Sequence, residues 1–212
     1  VGNGGTTGAI SGDVTNNGRL VFNRSDAVAF GGTISGSGSL TQAGTDVLTL
    51  TADNAYSGGT TIARGTLQLG DGGTTGSITG DVLNNGSLVF RRSDDVTFGG
   101  IVSGTGSVTQ AGSGVLTLAG DNSYSGGTFV TSGVLQADRN AALGDPAGAL
   151  VLDGGTFRYG AGFTMDRAVS LGTAGGTVDT QSFSAGISRA IGGTGKLTKT
   201  GTGRLVLSAD NG

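Results

Sequence analysis

The chain contains no cysteine, no histidine and no tryptophan, one proline and one methionine, and all 15 of its acidic residues are aspartate. Without cysteine there is no disulfide and no thiolate, and without histidine the usual base beside a serine or cysteine nucleophile is missing. A metal site would have to be built from oxygen ligands alone. One proline among 46 glycines excludes collagen. No apolar run approaches the ~18 residues of a membrane-spanning helix. A net charge of −3, with no basic stripe interleaved with aromatics, gives no reason to expect nucleic acid as a partner. A surface protein that crosses a membrane unfolded fits the absence of cysteine. The opening "VGNGG" lacks a methionine and reads as the start of an excised fragment, so a missing leader says nothing of the parent.

What remains is threonine, valine and glycine, the composition of strands separated by tight turns, with almost no helix. The dominant feature is internal repetition. Residues 2–69 align with 70–137 without a gap at an offset of 68, roughly two-thirds of positions being identical, and a third partial copy occupies 193–212. Inside each copy a shorter beat recurs, a glycine followed by alternating apolar residues, as in "GRLVF" from Gly18, "GSLTQ" from Gly38 and "GTLQL" from Gly65. These beats are 20 and 27 residues apart, and the region 138–192 inserts one further beat before the third copy. Alternation puts Leu20 with Phe22, and Leu67 with Leu69, on one face of each strand. Units that cannot bury a face alone, but tolerate insertion of a whole beat, describe a solenoid. The expected fold is all-β: one continuous, single-stranded, right-handed parallel β-helix over 1–212, with about nine coils of 20–27 residues and a length of about 43 Å. A propeller is the competitor, but its blades take ~40–50 residues, and the inserted beat would be half of one.

The stretch "GSGSLTQAGTDVLTLTADNAYSGGTTIARGTLQL" at 36–69 resembles the passenger-associated transport repeat of bacterial autotransporters. Gly36, Gly38, Leu40, Thr41, Gly44, Leu48, Leu50, Asn54, Tyr56, Gly58, Gly59, Thr60, Gly65 and Leu67 carry the pattern. The second copy repeats it from Gly104 to Leu135 with Val108 in place of leucine, and the third follows it from Gly193 to Asn211. The resemblance implies a β-helical stalk on the bacterial cell surface, or released from it. The fragment itself is not inserted in the membrane, and the parent is anchored by a C-terminal outer-membrane β-barrel. It further implies a role in adhesion, virulence or passenger export.

No residue earns a catalytic, cofactor or metal nomination, so the chain is read as no enzyme. Asp94-Asp95 is a weak counterpart of a glycosidase carboxylate pair, because strand neighbours point to opposite faces and the first copy has Asp26-Ala27. Asp53-Asn54, Asp121-Asn122 and Asp210-Asn211 read as turn caps, with calcium ligation as the alternative. Asn16-Asn17 and Asn84-Asn85 read likewise as caps. Arg91-Arg92 beside Asp94 and Asp95 reads as a locally neutralised surface. Tyr56 and Tyr124 are the candidate binding residues, as platforms for a sugar, against packing on the adjacent Gly-Gly turn. The partners that follow are a host cell-surface receptor, matrix or glycan, or another copy of the chain. A homotypic, cell-clumping module and a β-helical carbohydrate-active enzyme are the alternative functions.

Overall fold

The computed structural model describes residues 1–211; Gly212, the last residue of the partial third copy, lies outside the described residues. Every strand pairing in it is parallel and links successive turns of one chain. The chain visits three faces in strict rotation. One is a nine-stranded sheet running from Val28–Phe30 to Ile191–Gly193. A second is the five-stranded sheet from Arg19–Phe22 to Val102–Ser103, taken up again by three strands at Thr164–Met165, Ala185–Ile187 and Leu205–Leu207. The third begins with Val14–Thr15 and Ile34–Ser35 and continues as the six-stranded sheet from Val96–Phe98 to Leu197–Thr200. The result is a parallel β-solenoid of about ten turns, close to the nine expected.

The interior follows from alternation. On the nine-stranded face two inward rows climb the rod. One passes through Leu48, Leu67, Leu88 and Val108, the other through Leu50, Leu69 and Phe90. All seven are buried, so each rung covers the apolar face of the next and no single coil is stable by itself. Phe22–Phe30 and Phe90–Phe98 pack ring to ring at 5.6 and 5.5 Å across equivalent corners. Gly36 and Gly104 turn corners at φ 100° and 102°, and a Cβ at either would collide with the carbonyl of Asn16 or Asn84 one turn below.

The register corrects the expected coil length. Val115 pairs with Val134 and Val169 with Ile191, so a strand-to-strand turn takes 19 to 22 residues, and no 27-residue coil exists among these strands. The beat from Gly38 to Gly65 is one full turn plus one face. Leu40 pairs with Thr60 on the five-stranded face, whereas Leu67 belongs to the nine-stranded face. A 68-residue copy is therefore about three and one-third turns, and each copy is rotated by one face relative to the last. Ser39–Gln42 lies in the five-stranded sheet, its counterpart Ser107–Gln110 in the nine-stranded sheet, and the third copy's Leu197–Thr200 in the six-stranded sheet. The extra beat in 138–192 is a whole turn, which preserves this step.

Candidate functional site

The two tyrosines chosen as sugar platforms are inside the rod. Tyr56 and Tyr124 are fully buried, and their hydroxyls meet Thr60 Oγ1 at 2.6 Å and Thr128 Oγ1 at 2.7 Å. Thr128 Oγ1 also lies 3.2 Å from the carbonyl of Leu143. Neither ring offers a face to a ligand, and both belong to the buried core. Burial pushes the Tyr124 hydroxyl up to about 12, with the Thr128 contact pulling the other way. Tyr56 and Tyr159 are raised by the same cause.

The Asp-Asn pairs do more than cap turns. Asn54 and Asn122 are buried where the strand pattern breaks, and each side chain stands in for a strand's backbone. Asn54 Oδ1 accepts the Ile34 N–H at 2.9 Å and its Nδ2 donates to the Ser77 carbonyl at 2.9 Å. Asn122 repeats this, accepting from Val102 N–H at 2.7 Å and donating to the Ala142 carbonyl at 2.6 Å. The Asn122 amide thus carries the ladder across a rung that has no strand, where the Val102 N–H and the Ala142 carbonyl would otherwise lie buried and unpaired; at Asn54 the backbone N–H also reaches the Ser77 carbonyl at 2.9 Å, so the Ile34 N–H is the group that depends on the side chain. Asn211 Oδ1 accepts the Ile191 N–H at 2.7 Å, so the third copy repeats the accepting half of this contact on the nine-stranded face. Asp53 bonds Gly76 N–H, Ser77 Oγ and Arg92, and Asp121 pairs with Arg139. Among the described residues neither belongs to a cluster of acids that could hold a metal ion.

Asn16 and Asn84 cap corners as expected, each Oδ1 accepting the N–H two residues on, of Gly18 or Gly86, at 3.1 Å, while the Nδ2 donates to the Ser39 and Ser107 carbonyls at 2.9 and 2.8 Å. Arg92 grips Asp94 with two guanidinium nitrogens at 2.9 and 2.7 Å, and reaches Asp53 and the Thr74 carbonyl; Arg24 grips Asp26 alike in the first copy. These contacts hold Asp26 and Asp94 below the usual carboxylate range. Asp95 turns away to accept the Val115 N–H at 3.1 Å, so Asp94 and Asp95 do not face a shared substrate position.

Three features escaped the sequence reading. Arg167, in the inserted region, is fully buried and donates to the carbonyls of Asn140, Leu143, Gly144, Asp145 and Gly148, tying down the short 3₁₀ turn Asn140–Leu143. Among the described residues no carboxylate is bonded to it, and burial lowers its pKa. Second, the outward row of the nine-stranded face, Thr49, Gln68, Val89, Thr109, Phe129, Val151 and Ser170, carries no charge. Third, an open cleft of about 370 Å³ lies between residues 78–81 and 97–100. Beside it stand Leu83 and Ile101, each 45% exposed, where the first copy has Thr15 and Thr33. That departure from the repeat was visible in the alignment of the copies.

Residues 40–69, 108–137 and 197–212 match the passenger-associated-transport-repeat family. The chain is similar to the adhesin BmaC autotransporter of Brucella suis biovar 1 (strain 1330), at 40% identity over 148 residues, which is 63% of this chain and 4% of that protein. No solved structure matches. The chain thus carries three stretches that match the passenger-associated transport repeat, set in a parallel coil stack, and it is similar over part of its length to an autotransporter adhesin.

Proposed function

We propose that this segment is a non-catalytic, surface-exposed part of an adhesin: a rigid rod that displays or forms an adhesive surface. A C-terminal outer-membrane barrel outside the segment holds it at the bacterial surface. The observation that carries this reading is the continuity of the nine-stranded ladder through copies one and two and the inserted turn, with the family's motif turning by one face per copy. A ladder of equivalent rungs gives stiffness without any ligand. It also lets the chain be exported unfolded and added turn by turn, each new coil pairing with the last. The adhesive role is taken from the similar Brucella adhesin, of which the segment spans 4%.

A second reading is homotypic association. The uncharged outward row of the nine-stranded face presents no like-charge repulsion to a copy of itself lying alongside. One experiment separates the readings: bacteria displaying the whole parent are compared with bacteria whose passenger lacks this segment, at equal surface amount. Loss of attachment to host cells supports a receptor, matrix or glycan partner. Loss of self-clumping supports the homotypic reading. If both are unchanged, the segment is a spacer and the adhesive reading fails.

A further inference from the structure

We infer that the cleft between residues 78–81 and 97–100 is a docking site for a basic side chain of a partner polypeptide. The cation sits on Asp81 and its alkyl stem lies along Leu83 and Ile101. This rests on the reading of the segment as part of a displayed binding rod.

Gly99 is the first observation. Its φ is outside the left-handed region and a Cβ there would meet nothing within 4 Å, so neither conformation nor packing asks for glycine. A side chain at this position would stand in the cleft. Its neighbour Gly100 is different, since a Cβ there would strike the Gly80 carbonyl. Asp81 is the second observation. It is exposed, its Oδ1 accepts the Ile101 N–H at 2.8 Å, and among the described residues no arginine or lysine pairs with it. Third, Leu83 and Ile101 project from the same outward side as Asp81. Leu83 pairs with Ser103, two residues beyond Ile101, which places the two apolar side chains as diagonal neighbours. The first copy keeps Gly12, Asp13, Gly31 and Gly32 but has Thr15 and Thr33, so the backbone does not require apolar residues here.

An acid flanked by exposed aliphatic side chains suits lysine or arginine, whose stems are apolar and whose tips are charged. A sugar is disfavoured, because the one aromatic in the cleft, Phe98, is 5% exposed and offers no stacking face. A second copy whose two-fold axis passed through the cleft would set Asp81 against Asp81.

The test is amide chemical-shift mapping of the isotope-labelled chain titrated with the acetylated peptide Val-Lys-Val-Lys-Val, and with its glutamate counterpart. Saturable shifts centred on residues 79–83 and 97–101 are expected with the lysine peptide only. Asp81→Asn keeps the hydrogen bond to Ile101 but not the charge, and should weaken binding about fivefold, the contribution of an exposed ion pair. Gly99→Val fills the cleft and should abolish the localised shifts. Leu83→Thr with Ile101→Thr installs the residues that the first copy already accommodates, and should weaken binding without unfolding. Shifts spread over the aspartates of all three faces, or wild-type binding by both the valine and the double-threonine variants, would overturn the inference. Failure here leaves attachment by the whole parent intact, whereas a spacer role would show in the display experiment whatever the peptide does.

Discussion

Raising the pH is the perturbation that most directly tests where the tyrosines are. All three tyrosines are fully buried, and each phenol is pushed above its ordinary value of about 10 by loss of water. For Tyr124 the value is about 12, and two units correspond to about 3 kcal/mol favouring the fold with the phenol neutral. Because the folded value lies above the unfolded one, this contribution is fully present below pH 10. It is lost as pH climbs from 10 towards the folded value. The assay is phenolate absorbance near 295 nm recorded beside far-ultraviolet circular dichroism. At pH 10.5 the native rod should show almost no phenolate. The signal should then rise steeply and in step with loss of β structure, because ionisation requires the coils to open. A smooth one-proton curve with a midpoint near 10, at unchanged dichroism, would refute the burial argument and restore the aromatic platforms.

Three further outcomes follow from the same geometry. Asn122→Ala strands the Val102 N–H and the Ala142 carbonyl, and should cost about 2–5 kcal/mol in urea unfolding, since each orphaned buried group costs ~1–3 kcal/mol. Arg167→Met leaves five carbonyls around the 3₁₀ turn without their shared donor and should cost at least about 3 kcal/mol; proteolysis confined to 138–148 is the readout, and protection equal to wild type counts against it. Asp13, Asp26, Asp94 and Asp166 are held below their ordinary range, Asp13 chiefly by the Thr33 N–H and the others by arginine, so their contribution is present above about pH 4 and lost as pH falls through the depressed values. With no histidine, cysteine or glutamate in the chain, the urea midpoint of the chain acetylated at its N-terminus should stay level from about pH 5 to 9, and a step inside that window would contradict the assignment.

The alternation of Leu67 with Leu69 and of Leu88 with Phe90 made the strands and their inward faces legible, because a period of two is a local property. The parallel stack was legible because repeats of this length cannot close a core alone. Which strand lies above which was not. The beat of glycine and leucine marks where strands begin, yet Thr60–Ile62 is a strand that follows Gly58-Gly59 with threonines where leucine would signal it. Missing it turned one turn and a face into a single long coil. Tyr56 and Tyr124 stayed open between a sugar platform and packing for the same reason, for residues 51–59 lack alternation and give no sign of which side faces in. The splicing role of Asn54 depends on partners 20 and 23 residues away, and Arg167 on carbonyls 19 to 27 away. No local pattern records such contacts.

The one-face rotation explains how a copy can be so nearly repeated without stacking on itself. Leu67 packs beneath Leu88, not beneath its counterpart Leu135, so every rung must accept a neighbour from a different part of the repeat. What is selected is therefore compatibility of the motif with all three faces. That is why Leu, Val, Gly and the Asn splices recur while outward positions drift, as at Thr15 and Leu83. A length of about three and one-third turns has a further consequence. Any outward feature shared by the copies reappears a third of the way around the rod, about 16 Å further along at ~4.8 Å per rung. Three copies then present it in every direction, a useful property for a rod that cannot choose the side from which a surface approaches. Excising one whole turn of about 20 residues from the inserted region should keep both the fold and the rotation. Excising ten residues, about half a turn, should break the ladder at that junction, because the strands on either side would no longer lie over one another. Circular dichroism and urea midpoints of the two deletions provide the comparison, and equal stability of both would show that the ladders do not set the register.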